Sequence, residues 1–237
     1  MNSKNPKILV GCPVSDRHEY CTEEFLKAIK EISYDNYDIL LIDNSKDDRF
    51  FNSIKDKVPI IRGKSFPNVY ERLIHGRNIL RQKALDENYD YFFSLEQDVI
   101  PPKDIIDRLL APKKDVITGV YFKPWEDGSD KEPVAMAWVK HPTLPDKMVP
   151  VRRDIIHGNS MVKIHFCGLG CVLIHRKVLE KVKFRYDLKK CKGTDDMFFC
   201  MDSREKGFDI YVDTSIKCRH MILGRPWCWE DMLSGKI

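Results

Sequence analysis

Two short acidic segments hold the side chains best suited to chemistry. In LEQDVIPP, residues 95 to 102, Glu96 and Asp98 alternate outward from an apolar run while Gln97 points the other way, as the two-residue period of a strand requires. Two carboxylates at a strand end, with Pro101 and Pro102 fixing the exit, suit a hard divalent cation held together with the phosphates of a substrate. A solvated turn is the plain alternative, because Asp and Glu commonly end strands. In GTDDMFFCMDSREKG, residues 193 to 207, Asp195 and Asp196 follow a KKCKG loop that could bring one of them to a bound substrate as general base. The same pair at a helix N-terminus is also the capping choice, since carboxylates satisfy free N–H groups and favour the positive end of the helix dipole.

Three further features stand out. His220, in KCRHM after the strand-like IYV, is either a third metal ligand or a satisfied structural residue. Arg77 and Arg81, four apart on a long helix, either reach an anionic ligand or pair with carboxylates such as Asp86. The tail Trp227, Cys228, Trp229 either covers the core or acts as a lid over a site.

The elements that must position these residues alternate along the first half of the chain. The pattern predicts a strand over Lys7 to Pro13, a helix capped by Thr22 and running through Ile32, and a strand over Tyr37 to Asp43 closed by the turn-forming NSKDD. A third strand follows over Val58 to Arg62, then a helix from about Pro67 to Glu87 with Val69, Leu73, Gly76, Leu80 and Ala84 on one stripe, then a strand over Tyr91 to Leu95. Strand, helix, strand order with short connections argues a parallel sheet wound with helices. In such sheets ligands bind outside the carboxyl ends of the strands. That rule gathers Pro13 to Asp16, Asp43 with Asn44, and Glu96 to Asp98 on one edge. The second half reads as a strand over Asp115 to Phe122, a loop and hairpin excursion over Lys123 to Val151, a strand over His165 to Ile174, one or two helical turns over Arg176 to Val182, and a helix from Thr194 to a stop at Gly207.

Composition bounds the answer. At roughly 150 residues per domain, 237 residues make one domain with room for a real core. The 40 Lys and Arg against 36 Asp and Glu leave +4, too small a surplus to argue for nucleic acid. No run approaches the ~18 apolar residues of a membrane span, and the N-terminus carries no secretory signal pattern. The eight cysteines include no C-x-x-C pair. They therefore read as reduced structural thiols rather than a disulfide framework or zinc ligands.

Taken in order, the strand ending CPVSD, the strand ending LIDNSKDD, the helix with GRNILRQKAL, YFFSLEQDVIPP, HFCGLGCVLIHRKVLEKV, TDDMFFC and a late His220 resemble the GT-A glycosyltransferase fold. They are most similar to its inverting family 2 type. The resemblance spans roughly residues 7 to 220, apart from an unmatched stretch over Lys123 to Lys163. It implies an α/β fold, a mixed Rossmann-like sheet flanked by helices, in a single domain over residues 1 to 237. Residues 1 to 122 would bind nucleotide sugar, 123 to 163 would be an insertion meeting the acceptor, and 164 to 237 would hold the catalytic half and a C-terminal lid.

Carried over by position, the resemblance places Asp43 and Asn44 at the base or ribose of the nucleotide. Pro13 and Ser15, in the loop along that nucleotide, and Arg77 with Asn78 on the helix, would lie near the donor. Glu96, Gln97 and Asp98 match the Asp-x-Asp motif, with Glu in the first place and Asp98 the better candidate for direct metal contact. Gly168 and Gly170 match the segment lining the donor or acceptor pocket. Asp196 matches the catalytic base, Asp195 replaces the Glu before it, and His220 matches a metal-binding histidine. The implied cofactor is Mn2+ or Mg2+. The chain lacks a Gln-x-x-Arg-Trp motif, which argues against a polymerising synthase.

The expectation is therefore single sugar transfer from a nucleotide diphosphate sugar to a hydroxyl of a glycan, a lipid-linked acceptor or a protein, with inversion. The setting would be the cytoplasm, or the periphery of a membrane surface. Two rivals remain. A nucleotidyltransferase would carry a glycine-rich basic loop where GCPVSDRHE has a single Gly, and a silent nucleotide- or sugar-binding module would share the scaffold without turnover.

Overall fold

The apolar runs KILVGCP, YDILLID and YFFSL become neighbouring strands of one sheet, covered on both faces. The structure, a computed structural model, describes residues 5–124, 133–144, 147–187, 194–222 and 225–227. In chain order its elements are β1 (Ile8–Val14), α1 (Thr22–Lys30), β2 (Tyr37–Asp43), α2 (Arg49–Ile54), β3 (Ile60–Arg62), α3 (Val69–Asp86), β4 (Tyr91–Leu95), β5 (Val99–Ile100), α4 (Ile105–Leu110) and β6 (Val116–Val120). Then follow β7 (Phe122–Pro124), β8 (Pro133–Ala135), β9 (Ala137–Lys140), β10 (Met148–Pro150), α5 (Arg153–His157), β11 (Met161–Ile164), β12 (Phe166–Cys167), β13 (Cys171–His175), α6 (Arg176–Leu179), α7 (Asp195–Glu205), β14 (Ile210–Lys217), β15 (Arg219–Ile222) and β16 (Arg225–Trp227).

The main sheet has eight strands in the order β11-β14-β6-β13-β4-β1-β2-β3. β1 pairs in parallel with β2 and β4, and β2 with β3. β13 runs antiparallel between β4 and β6, and β11 antiparallel beside β14. The sheet is thus mixed, as the resemblance implied: the strands of the first half are parallel, and the antiparallel strands β11 and β13 come from the second half. The reversal of β13 matters for the site, because it brings the start of that strand, Cys171 opposite Leu95, to the edge where β4 ends. Successive strand residues face opposite layers: Leu9 and Phe92 pack with Leu80 and Phe199 on one face, while Val10 and Phe93 pack with Phe25 and Ile117 on the other. Each such side chain taken fully out of water contributes about 1.5–3 kcal/mol.

Several boundaries differ from the sequence reading, each for a physical reason. Thr22 opens α1 without capping it, because a 3-10 turn over Asp16–Cys21 feeds directly into the helix; its hydroxyl instead donates to the His18 carbonyl at 3.2 Å. α3 starts at Val69, where the Asn68 side chain accepts from the Tyr70 N–H at 2.8 Å and so caps the first turn. Thr194 has the extended backbone of a cap, but its hydroxyl donates to Asp196 rather than capping a backbone N–H. Gly207 closes α7 at φ +84°, a conformation that a side chain would strain.

The run over His165 to Ile174 is two strands, not one. β12 joins the small sheet β10-β9-β12, β13 joins the main sheet, and Gly168–Gly170 carries the chain between them. The excursion after Phe122 contains two paired hairpins, β7 with β8 and β9 with β10. A third small sheet, β16-β15-β5, fastens the late strand at Arg219 and His220 to Ile100 and Val99. Six cysteines, at 12, 21, 167, 171, 200 and 218, are free and buried. Cys191, Cys228, Trp229 and the KKCKG loop lie outside the described residues. No helix among the described residues is long and apolar enough to cross a membrane.

Candidate active site

Three loops leave the carboxyl ends of β1, β2 and β4 at one edge of the sheet and line a cleft of about 470 Å³. Pro13, Ser15, Arg17 and His18 come from the first loop, Asn44 and Lys46 from the second, and Glu96, Gln97 and Asp98 from the third; Val69, Arg72 and Leu73 of α3 close the side. Val69 and Leu73 were expected on the core stripe of this helix. They face the cleft instead, and Val69 is 36% exposed.

Gln97 holds the first loop in place. Its Oε1 accepts from the Ser15 N–H at 2.8 Å, and its Nε2 donates to Thr22 Oγ1 at 2.8 Å and to the His18 carbonyl at 3.2 Å. The buried amide is therefore a clamp. Gln97→Ala is expected to leave the half-buried Ser15 N–H and the His18 carbonyl each short of a partner and to cost about 1 kcal/mol, measured by urea unfolding, with looser nucleotide binding in the same variant.

At the floor of the cleft Asp98 Oδ2 faces two imidazoles, His220 Nε2 at 3.2 Å and His18 Nε2 at 3.7 Å. His220 reaches this point because β15 pairs with β5, immediately after Asp98. Its Nδ1 lies 2.5 Å from the Phe122 carbonyl, which can only accept, so Nδ1 carries a proton. Nε2 then meets a carboxylate oxygen with nothing between them unless it too is protonated or a cation lies there. Burial acts to lower the His220 pKa, but the hydrogen bond and charge of Asp98 outweigh it and the net shift is upward. Burial likewise acts to raise Asp98, and His220, helped by His18, holds it below the usual carboxylate range. A site with one imidazole proton too many, a carboxylate and a ring fixed from behind by a carbonyl fits a divalent metal. Among the described residues, however, no set of three or more His, Cys, Asp or Glu is spaced to hold a metal alone.

Glu96 is turned the other way. Its Oε1 accepts from Arg77 Nη2 at 2.9 Å, and Arg77 Nη1 reaches Asp195 Oδ2 at 2.5 Å. Burial raises the Glu96 carboxyl above its ordinary range, Arg77 opposes the shift, and Asp98 adds to it. Asp196, next along α7, accepts from the Thr194 hydroxyl and from the Met197 N–H at 2.7 Å through one oxygen. Its other oxygen carries no hydrogen bond among the described residues. Burial raises the Asp196 pKa, the Thr194 hydrogen bond pulls it down, and the neighbouring Asp195 charge adds to the rise. Behind both groups Tyr121 Oη accepts from the Gly170 N–H at 3.0 Å, and the Tyr121 ring meets His220 edge-on at 5.4 Å. A Cβ at Gly170 would lie 2.8 Å from that oxygen and 2.9 Å from Glu96 Oε2, so only glycine fits. Gly168 likewise abuts Tyr121.

Other expected site residues are committed elsewhere. The fully buried Asp43 carboxylate is paired with Arg62 and accepts from the Ser45 N–H at 2.9 Å. Asn78 is not among the residues lining the cleft; its amide holds the Phe184 backbone through bonds of 2.8 and 3.2 Å. Arg81 donates to the Val182 carbonyl at 2.9 Å, and Asp86 is partnered by Gln82 instead. His18, Tyr121 and the Phe122 carbonyl were not singled out in the sequence. His18 was within reach of the edge rule, since it follows the first strand by four residues.

No protein-family model matches the chain, and no curated protein matches its sequence. Solved structures do match its backbone. A197 from STIV aligns at a TM-score of 0.50 and 17% identity over 92% of this chain and 87% of its own. GalNAc-T7, solved with UDP, GalNAc and Mn2+, aligns at 0.67 and 13% identity over 92% of this chain. TarS residues 1–349 from S. aureus align at 0.53 and 15% identity over 87% of this chain.

The chain has the GT-A fold.

The GT-A resemblance of the sequence and the mixed eight-stranded sheet thus agree. The chain spans 44% of the GalNAc-T7 chain and 57% of the TarS chain, so the GT-A core is what is shared. In the GT-A frame, the cleft described above lies where open α/β sheets bind ligands, outside the carboxyl ends of the strands.

Proposed function

We propose that this protein is a glycosyltransferase that moves one sugar from a nucleotide diphosphate sugar to an acceptor hydroxyl with inversion, assisted by a divalent cation. One observation supports the reading: Asp98, which lines the cleft, lies 3.2 Å from His220, while Arg77 ties Glu96 of the same loop to Asp195, whose neighbour Asp196 has one oxygen without a hydrogen bond among the described residues. GT-A structures solved with UDP and Mn2+, and with UDP-GlcNAc, support uridine nucleotides as the first donors to test.

Asp98 and His220 would hold Mn2+ or Mg2+ together with the diphosphate oxygens. When bound, the cation offsets negative charge on the departing diphosphate. Asp196 accepts the proton of the acceptor hydroxyl as its oxygen attacks the anomeric carbon from the face opposite the diphosphate. The new C–O bond forms as the old one breaks, and the bonding pair leaves with the nucleoside diphosphate. Asn44, Lys46 and the Ser15 to His18 loop lie along the cleft where the nucleotide would run. The acceptor, a glycan, lipid-linked carrier or protein, would approach from the side of β7 to β10. Six buried free thiols support a reducing setting, in the cytoplasm or at a membrane periphery.

The first test is thermal stability with nucleoside diphosphates, with and without Mn2+. UDP with Mn2+ is expected to raise Tm by about 5–10 °C at a hundredfold excess over Kd, and Mn2+ or UDP alone by far less. If no nucleotide gives a metal-dependent rise, the donor site is wrongly assigned. UDP release from UDP-GlcNAc separates a transferase from a silent binding module.

A further inference from the structure

One guanidinium stands between the two acidic motifs. Arg77 lies in the middle of α3, where Gly76 lets the helix press against β1; a Cβ there would already be 3.3 Å from Pro13. The Arg77 side chain is 1% exposed. Its Nη1 holds Asp195, its Nη2 holds Glu96, and its buried Nε has no hydrogen-bond partner. A cation so far from water is tolerable only when paired. Buried and flanked by two carboxylates, Arg77 is not among the residues that line the cleft.

The pairing sorts each motif in the same way. Glu96, first of Glu-x-Asp, and Asp195, first of Asp-Asp, both face the arginine. Of the second members, Asp98 faces His220, and Asp196 accepts from Thr194 and Met197 through one oxygen. Glu96 follows β4, Asp195 opens α7, and the two are 99 residues apart in the chain, so Arg77 is the direct polar link between the donor-side loop and the helix bearing the base.

We propose that Arg77 is a positioning residue, a shared internal counter-ion that sets where Asp196 stands relative to Asp98, with Glu96 and Asp195 serving as its anions rather than as metal ligand and base. The catalytic part of this rests on the glycosyltransferase reading above. The ion-pair part does not.

Two measurements on the full chain separate those parts. In thermal unfolding, Arg77→Met is expected to lower Tm by roughly 6 °C or more, because the buried Asp195 and the half-buried Glu96 lose their shared partner. Adding Glu96→Gln and Asp195→Asn to it is expected to recover most of the fall. If Arg77→Met unfolds near the wild-type Tm, or the triple variant recovers nothing, the counter-ion assignment is overturned. In the second measurement, Arg77→Lys keeps a positive charge but not the two-pronged geometry. With UDP-GlcNAc and Mn2+, its kcat for UDP release is expected to fall about tenfold or more while the donor KM stays within about threefold. A raised KM with kcat kept would make Arg77 a donor ligand, and wild-type values of both would remove it from positioning. A wild-type protein that neither releases UDP nor gains stability from UDP and Mn2+ would defeat the glycosyltransferase reading instead, while the unfolding series still decides the ion pairs.

Discussion

Asp196→Asn is expected to abolish sugar transfer, lowering kcat by roughly a thousandfold, while metal-dependent nucleotide binding stays as in the wild type. The amide is nearly isosteric and keeps an oxygen for the Thr194 hydroxyl and the Met197 N–H, so α7 keeps its N-terminal contacts. What it lacks is the capacity to take a proton. Turnover close to wild type would remove Asp196 from the reaction.

The pH profile gives a second view of the same group. Only the ionised carboxylate is a base, so rate is lost on the acid side as Asp196 becomes protonated. Burial raises its pKa, with the Asp195 charge in support. The acid limb of kcat should therefore lie above the ordinary aspartate value of about 3.9. Thr194→Val removes the hydrogen bond that favours the ionised form, and is expected to move that limb further toward neutral pH. A limb that did not move would place the titrating group elsewhere.

His220→Ala is expected to weaken Mn2+ binding in the presence of UDP by about a hundredfold or more, measured by calorimetry or by the Mn2+-dependent rise in Tm. The reason lies in the tautomer. The Phe122 carbonyl fixes the proton on Nδ1, leaving Nε2 to meet Asp98 with either a second proton or a cation. Cation and proton therefore compete. Because Asp98 shifts the His220 pKa upward, Mn2+ affinity in the wild type should fall as pH drops through that raised pKa, with proton release on cation binding below it. In His220→Ala that pH dependence should flatten. If Mn2+ binds the variant as tightly as the wild type, the cation is held by other groups and the assignment of His220 fails.

Much of the scaffold was legible from sequence because local signals and burial agreed. Tyr37–Asp43 and Tyr91–Leu95 were placed to the residue, each an apolar run ended by polar turn residues. α2 and α4 were not seen, since each has only six residues and depends on packing by Phe50, Ile54, Ile105, Ile106 and Leu109 rather than on intrinsic helix stability. The break inside HFCGLGCVLI was hidden because Phe166 to Ile174 is apolar or glycine throughout, and apolar character alone cannot show a chain passing from one sheet to another.

The site divides along similar lines. The strand-end rule gathered the three loops of the cleft, because it follows from topology. The partners of individual side chains were out of reach: Asn78 serves Phe184 from 106 residues away, and Arg77 serves Asp195 from 118. Helical spacing pointed to Arg77 and Arg81 as an equivalent pair, yet one closes on two carboxylates and the other on a carbonyl.

The pairing of β15 with β5 joins residues 122 apart at the cleft floor. Before that, β14 must enter the main sheet between β6 and β11. During synthesis, then, the loops for the nucleotide can form while the last quarter of the chain is still missing, but the Asp98 carboxylate gains its histidine only after that strand is in place. A chain cut short of β14 would leave β6 with an unpaired edge and Asp98 without the His220 imidazole. Completion of the sheet and assembly of the proposed site thus coincide, so a chain ending before β15 would also lack the histidine assigned to that site.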